Sequence, residues 1–339
     1  MFNVVLASDD GYAHILSVCL VSILKNNCKD FEKINIFILD DGIKSKNKKL
    51  LNDLASEYCA NLEFIKLDKN DIFKNIHGLD RNGKITHTTY ARLFIPSLLP
   101  NNIDKVLYLD VDSLILDSFK ELWKLDLEDN LCAAVIDVSS DKLITKTSIG
   151  LTENDYYYNA GVLLIDLKGW RKEKIEEKFL NFLENRIFYF HDQDIINGVL
   201  KNRIKTIHPK YNFMSNFHEL SYEKITQWEG LINYYTKEEI EEARKNPVFI
   251  HFSGTSVTRP WHNPDFIYRN IYEEYASLTK NEKEIFKDDK KIDPFEKIRY
   301  NFYKTKLVGL VFMFIPKKIF VKNANRIREQ MYEDFFSKN

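Results

Sequence analysis

Phe2-Asn3-Val4-Val5-Leu6-Ala7 runs straight into the polar turn Ser8-Asp9-Asp10-Gly11 and reads as a buried strand that stops abruptly. So short an apolar run, bounded by a turn, suits a strand covered on both faces. Ile15 to Leu24 follows as a helix that is apolar over most of its surface. Ile34 to Leu39, closed by Asp40-Asp41-Gly42, repeats the pattern; Lys46 to Tyr58 is a polar-faced helix and Leu62 to Leu67 a third strand. This alternation predicts an α/β fold with a largely parallel sheet and helices on both faces. Further on, Thr89 to Leu99, Lys172 to Asn185 and Gln193 to Leu200 read as helices. Val106 to Leu109, Leu131 to Val138, Gly161 to Leu167 and Val248 to Phe252 read as strands.

The strand Val106-Leu107-Tyr108-Leu109 ends in Asp110-Val111-Asp112. Side chains alternate along an extended chain, so Asp110 and Asp112 point to one side. Two converging carboxylates repel unless a cation sits between them, and a hard divalent ion on a phosphate is the natural guest. A solvated turn explains a bare D-x-D equally well, so other segments must decide.

At 339 residues, with 44% hydrophobic and 14% aromatic content, the chain holds a substantial core. The four cysteines (Cys19, Cys28, Cys59, Cys132) show no metal or disulfide spacing and suit a reducing cytoplasm. The opening residues lack a secretory signal, and the longest late apolar run, Leu307 to Ile315, is about half of the ~20 residues a spanning helix needs. The net charge of −1 hides an asymmetry: Lys297 to Arg328 carries nine Lys or Arg and no acid. Tyr300, Phe302, Tyr303, Phe312, Phe314 and Phe320 interleave with those cations, as in a surface anchor for anionic lipid; a packed terminal helix is the alternative. No nucleic-acid module accompanies the basic run. The expected organisation is an α/β domain over 1–265 and a helical region over 266–339 with a membrane-associating tail, giving a cytoplasmic protein peripheral on the inner face of the membrane.

Four further segments bear on chemistry. Ser8-Asp9-Asp10-Gly11-Tyr12 lies at the carboxyl end of the first strand, where open α/β sheets bind ligands. It has no glycine-rich phosphate loop, but Asp9 can accept a base N–H and Tyr12 can stack. Tyr158-Asn159-Ala160-Gly161-Val162 sets an amide and small residues before a strand, leaving room for a bulky ligand such as a sugar. His191-Asp192-Gln193-Asp194 opens a helix with more acids and amides than a cap requires. His251 ends the strand Val248-Phe249-Ile250, and Gly254 then leads to Arg259-Pro260-Trp261-His262, as in a loop that closes over a diphosphate. A core histidine is the plainer reading of His251 alone. Two carboxylates and an imidazole suit Mn²⁺, with Mg²⁺ as the alternative.

Taken in order, Ala7-x-Asp9, Thr88-Thr89-Tyr90-Ala91-Arg92, Leu107-Tyr108-Leu109-Asp110-x-Asp112, Tyr158 to Val162, Asp192-Gln193-Asp194 and His251-x-x-Gly254…Arg259-Pro260-Trp261-His262 resemble the family 8 retaining glycosyltransferases, the bacterial lipopolysaccharide α-galactosyl- and α-glucosyltransferases among them. The resemblance spans about residues 2 to 265. It implies a catalytic GT-A-type α/β domain over 1–265, with a Rossmann-like mixed, mostly parallel sheet flanked by helices, moving galactose or glucose from a UDP-sugar to a hydroxyl of a glycan or glycolipid acceptor such as lipopolysaccharide. Ala7, Asp9 and Tyr12 would hold uridine; Asp110, Asp112 and His251 would ligate Mn²⁺, with Val111 between the acids. Arg92, Asn159, Asp192 and Gln193 would contact the donor sugar, and Gly254 and Arg259 the phosphates. Asp192 and Gln193 are the residues nearest to catalysis, by covalent attack or by stabilising a front-face reaction. Arg259 replaces the family's usual Lys after a longer Thr255-Ser256-Val257-Thr258 insert, Gly11 stands where Asn is frequent, and Lys84 stands where a relative has His near the acceptor. A silent sugar- or membrane-binding module of the same fold is the alternative, and a sugar nucleotidyltransferase a remoter one.

Overall fold

The computed structural model describes residues 1–68, 87–138, 140, 143–183 and 188–304. Lys84 and the tail beyond 304 lie outside the described residues. Seven strands form the main sheet: β1 (Phe2–Asp9), β2 (Ile34–Asp41), β3 (Asn61–Lys66), β4 (Lys105–Leu109), β6 (Cys132–Ala134), β7 (Val162–Asp166) and β8 (Ile204–Thr206). Their order is β3-β2-β1-β4-β7-β6-β8. All neighbours run parallel except that β7 is antiparallel to both β4 and β6, so the sheet is mixed and mostly parallel as expected.

Residues Phe2 to Ala7 of β1 and Ile34 to Leu39 of β2 are buried throughout, which their apolar runs require. The edge strand β3 instead exposes Asn61, Glu63 and Lys66, which blunts it against further pairing. Polar groups inside this half of the sheet are matched across strands. Asn61 Nδ2 donates to Asn35 Oδ1 at 3.0 Å, Asn35 Nδ2 to Asn3 Oδ1 at 2.7 Å, and Asn3 Nδ2 to the Lys105 carbonyl at 3.2 Å.

Helix α1 (Ala13–Asn27) is buried along most of its length. Asn26 Nδ2 donates to the Ile115 carbonyl and to the Tyr275 hydroxyl, both at 2.9 Å. Helix Arg269–Leu278, beyond the expected boundary at 265, buries Tyr272, Tyr275 and Ala276 in the same hydrophobic cluster. Cys19 and Cys132 are buried thiols, and burial pushes Cys19 up to about 12. Among the described residues no helix is long and apolar enough to cross a membrane.

Two expectations need revision. Thr89 to Leu99 is not one helix but three short turns, His87–Tyr90, Ala91–Phe94 and Ile95–Leu98; Pro96 has no N–H to continue a helical ladder. β10 (Phe249–His251) is the strand expected over Val248 to Phe252, but it belongs to a second sheet with two very short strands that escaped the sequence reading, β5 (Ser113–Ile115) and β9 (Phe213–Met214), in the order β5-β10-β9. This sheet positions the site.

Candidate active site

β1 and β4 are parallel, with Val4 beside Leu107 and Val5 beside Tyr108, so Asp9 and Asp110 emerge at the same sheet edge. The chain passes through Asp110-Val111-Asp112 directly into β5. There β10 pairs antiparallel, setting His251 opposite Ser113, and the Phe252 N–H donates to the Asp112 carbonyl at 2.8 Å. This crossing of two sheets brings residues 139 apart in sequence to one point. His251 Nε2 lies 3.4 Å from Asp112 Oδ1 and 3.7 Å from Asp110 Oδ2. The three groups offer ligand atoms within 4.8 Å of one another, a grouping found nowhere else among the described residues. His251 is buried, and both acids keep a partly open edge. Burial opposes an imidazolium at His251, but Asp112 and Asp110 outweigh it and raise its pKa.

Gly161 explains how the imidazole fits. Its carbonyl accepts from the Asp110 N–H at 2.8 Å and its own N–H donates to Asn159 Oδ1 at 2.9 Å. A Cβ here would lie 2.4 Å from His251 Cε1 and 2.9 Å from Nδ1. The space read from the small residues before β7 is, at Gly161, taken by the imidazole.

Arg92, buried and stacked 4.4 Å over the Tyr108 ring, joins the acids on the other side. Nη1 donates to the Ala160 carbonyl at 2.6 Å, Nη2 to Asp110 Oδ1 at 2.8 Å, and Nε ion-pairs with Asp192 Oδ2 at 2.9 Å. The Tyr108 hydroxyl also donates to Asp110 Oδ1, at 3.0 Å. Asp192 opens helix α2 (His191–Val199). Burial drives its carboxyl up to about 7, Arg92 opposing and Asp110 adding to the rise. Gln193 Oε1 accepts from the Ala160 N–H at 3.0 Å. Asp194 turns away and holds the chain before α2, accepting from the Tyr157 hydroxyl at 2.5 Å and from the Tyr189 and Phe190 N–H groups at 2.7 and 2.8 Å.

At the carboxyl end of β1, Asp9 Oδ1 accepts from the Tyr12 N–H at 2.9 Å, forming the turn into α1, while buried Ala7 lies within β1. Asp10 is not part of this face, since it accepts from the Lys44 N–H and Asn47 Nδ2 at 2.9 and 2.8 Å. Burial raises the Tyr12 hydroxyl, with Arg259, Asp112 and Asp9 in electrostatic reach. Arg259 has a buried Nε without a hydrogen-bond partner, and none of the ion pairs among the described residues involves it. Gly254 has φ +105°, a conformation other residues resist.

The profile of glycosyl transferase family 8 matches residues 3–265. The chain belongs to glycosyl transferase family 8. It is 30% identical to General stress protein A of Bacillus subtilis over 83% of this chain and 94% of that protein. It is 29% identical to a lipopolysaccharide 1,2-glucosyltransferase of Escherichia coli over 94% and 91%. Among solved structures it resembles galactosyltransferase LgtC in complex with donor and acceptor sugar analogs, at 30% identity, TM-score 0.66, and 82% and 95% coverage. The family 8 chain is thus a glycosyltransferase with that GT-A-type fold. Sequence reasoning missed two of its residues. Asp137 Oδ2 accepts from Asn159 Nδ2 at 2.8 Å and lies 3.4 Å from Gln193 Nε2; its signal was the acid near the end of the strand at Leu131 to Val138. Asn212, wholly buried beside β9, left no signal.

Proposed function

We propose that this family 8 enzyme transfers a hexose, galactose or glucose, from a UDP-sugar to a hydroxyl of a lipopolysaccharide-type glycan, with retention at the anomeric carbon and dependence on Mn²⁺. The observation that carries the reading is the convergence of Asp110, Asp112 and His251, a two-oxygen, one-nitrogen set open on one side, which fits Mn²⁺ and admits Mg²⁺ less readily. A cation held by these residues supplies Lewis-acid neutralisation of the departing diphosphate. Asp9 and Tyr12 receive the base and ribose, with Ala7 beneath them. Arg259, its Nε unpartnered, supplies a charge-assisted contact to phosphate.

Asp192 is committed to Arg92, and the Gln193 carbonyl to Ala160. That arrangement favours a front-face route over a covalent one. The acceptor oxygen bonds to the anomeric carbon as its bond to the diphosphate breaks, and the acceptor proton passes to the leaving phosphate oxygen. The chemistry is tested by incubating the full chain with UDP-galactose and UDP-glucose, with Mn²⁺ or chelator, and following UDP release and glycan mass. Metal-dependent turnover of one donor supports the reading. Binding without turnover across a broad acceptor panel favours the silent module.

The enzyme's expected place is the cytoplasmic face of the membrane. Helix Pro294–Lys304 exposes Phe295 and Ile298 beside Lys297, as an anchor for anionic lipid requires. Truncation after Lys304 should reduce binding to anionic vesicles while leaving donor turnover intact. A cut at Asp293 would also remove Glu296, whose Oε2 accepts from the Ser256 N–H at 3.0 Å and hydroxyl at 2.6 Å, and so would confound the test.

A further inference from the structure

His251 is useful to a metal only if its Nε2 carries a lone pair, and that requires the ring proton to sit on Nδ1. The hydrogen bonds behind the ring settle this from two fixed ends. Asp137 Oδ2 can only accept from the Asn159 amide nitrogen, at 2.8 Å. The Gly161 backbone N–H can only donate, and it meets Asn159 Oδ1 at 2.9 Å. Asn159 therefore has one orientation. Its Oδ1 also faces Asn212 Nδ2 at 2.7 Å, which must donate, so Asn212 Oδ1 is left to face His251 Nδ1 at 3.0 Å. An amide oxygen there accepts, and Nδ1 must carry the proton.

We infer that Asn212 is a positioning residue that locks His251 in the Nδ1–H tautomer and aims its Nε2 lone pair between Asp110 and Asp112. The relay Asp137–Asn159–Asn212–His251 transmits the orientation, and the second sheet supplies it: β9 lies parallel to β10, with Met214 beside His251, so Asn212 comes up behind the ring. Wholly buried, Asn212 has no solvent to replace a lost partner. The relay also ends on Asp137, which neighbours Gln193, so the metal ligand and the sugar-facing amide share one hydrogen-bonded support. Outer-shell partners of metal-bound imidazoles carry this role in general, and their loss weakens binding by about 10–100-fold.

The inference rests on the metal reading of the Asp110, Asp112 and His251 site, and its test separates the two. Mn²⁺ binding in the presence of UDP is measured by electron paramagnetic resonance on the full-length wild type, Asn212→Leu and Asn212→Asp. The leucine, near in shape, removes the acceptor; the aspartic carboxyl, held protonated by its burial, keeps an acceptor toward Nδ1–H and donates its O–H to Asn159 Oδ1 as the amide did. Asn212→Leu should bind about 10–100-fold more weakly, and Asn212→Asp within a few-fold of wild type. Equal affinity of Asn212→Leu and wild type overturns the role of Asn212. No binding by wild type overturns the metal reading and this inference with it. Independently of any variant's folding, long-range ¹H–¹⁵N spectra of metal-free wild type at alkaline pH, with His251 identified by its loss in His251→Gln, should report the Nδ1–H tautomer. An Nε2–H tautomer overturns the proposal.

Discussion

Gly161→Ala is the most economical disturbance of this site, because it adds one methyl and changes none of the candidate ligand residues. Gly161 is not among the residues with positive φ, so alanine is conformationally acceptable and its effect is steric alone. The new Cβ would sit 2.4 Å from His251 Cε1, 2.9 Å from Nδ1 and 3.0 Å from Asn159 Oδ1, where ordinary contact begins at 3.4 Å. Gly161 cannot retreat without breaking its hydrogen bonds to Asp110 and Asn159, so the ring must move by about 1 Å. Overpacking of this kind costs about 1–3 kcal/mol of stability. The metal site suffers more, since ligand distances tolerate only about ±0.2 Å. Mn²⁺ affinity with UDP present should fall by at least the roughly 10–100-fold seen on loss of an outer-shell partner, while the melting transition stays cooperative. A Gly161→Ala chain that binds Mn²⁺ like wild type would refute the claim that this glycine exists to seat His251.

Other expectations are as direct. Arg259→Ala should raise the donor KM by about 10–100-fold, the cost of one or two charge-assisted contacts, with thermal stability nearly unchanged; an unaltered KM would remove Arg259 from the phosphate site. Glu296→Ala should raise the donor KM a few-fold through the freed Ser256 turn while Glu296→Gln retains the acceptor, and steady-state kinetics in which both behave like wild type would exclude that support. His218 is buried among Phe213, Phe252, Phe266 and Tyr268, and burial pulls its pKa down to about 3. Its unfolded value is about 6.5, so its contribution is intact above that pH and is lost as pH falls toward 3, about 2 kcal/mol being gone by pH 5. Urea unfolding of His218→Phe at pH 8 and pH 5 should show that much less acid sensitivity than wild type, and an identical acid loss would exclude His218 as its source.

What could be read in advance follows from the range of each signal. β1, β2 and β4 were visible because burial on both faces demands unbroken apolar runs. β5, β8 and β9, with two or three residues each, carry no periodicity to detect. Asp110 and Asp112 were legible as a pair because they follow a buried strand, although the chain bends at Val111 and Asp112 instead of continuing extended; their meeting with His251 depends on a β5–β10 ladder that local patterns do not encode. Gly161 was noticed and its occupant misjudged, since a missing side chain does not say what fills the space. Asn159 was singled out as a sugar contact, but its place in a buried run with Asn212 and Asp137 stayed hidden for a related reason: asparagines are commonest in turns, and only the folded contacts distinguish a relay from a loop.

The proposed function requires that Asp110, Asp112 and His251 hold a cation on which sugar transfer depends. Asp112 is the ligand to change, because Asp110 also anchors Arg92 and Tyr108. Mn²⁺-dependent UDP release from the preferred UDP-hexose should fall to the chelator-treated background in Asp112→Ala, with an unchanged far-ultraviolet spectrum. Full metal-dependent activity in that variant would contradict the account.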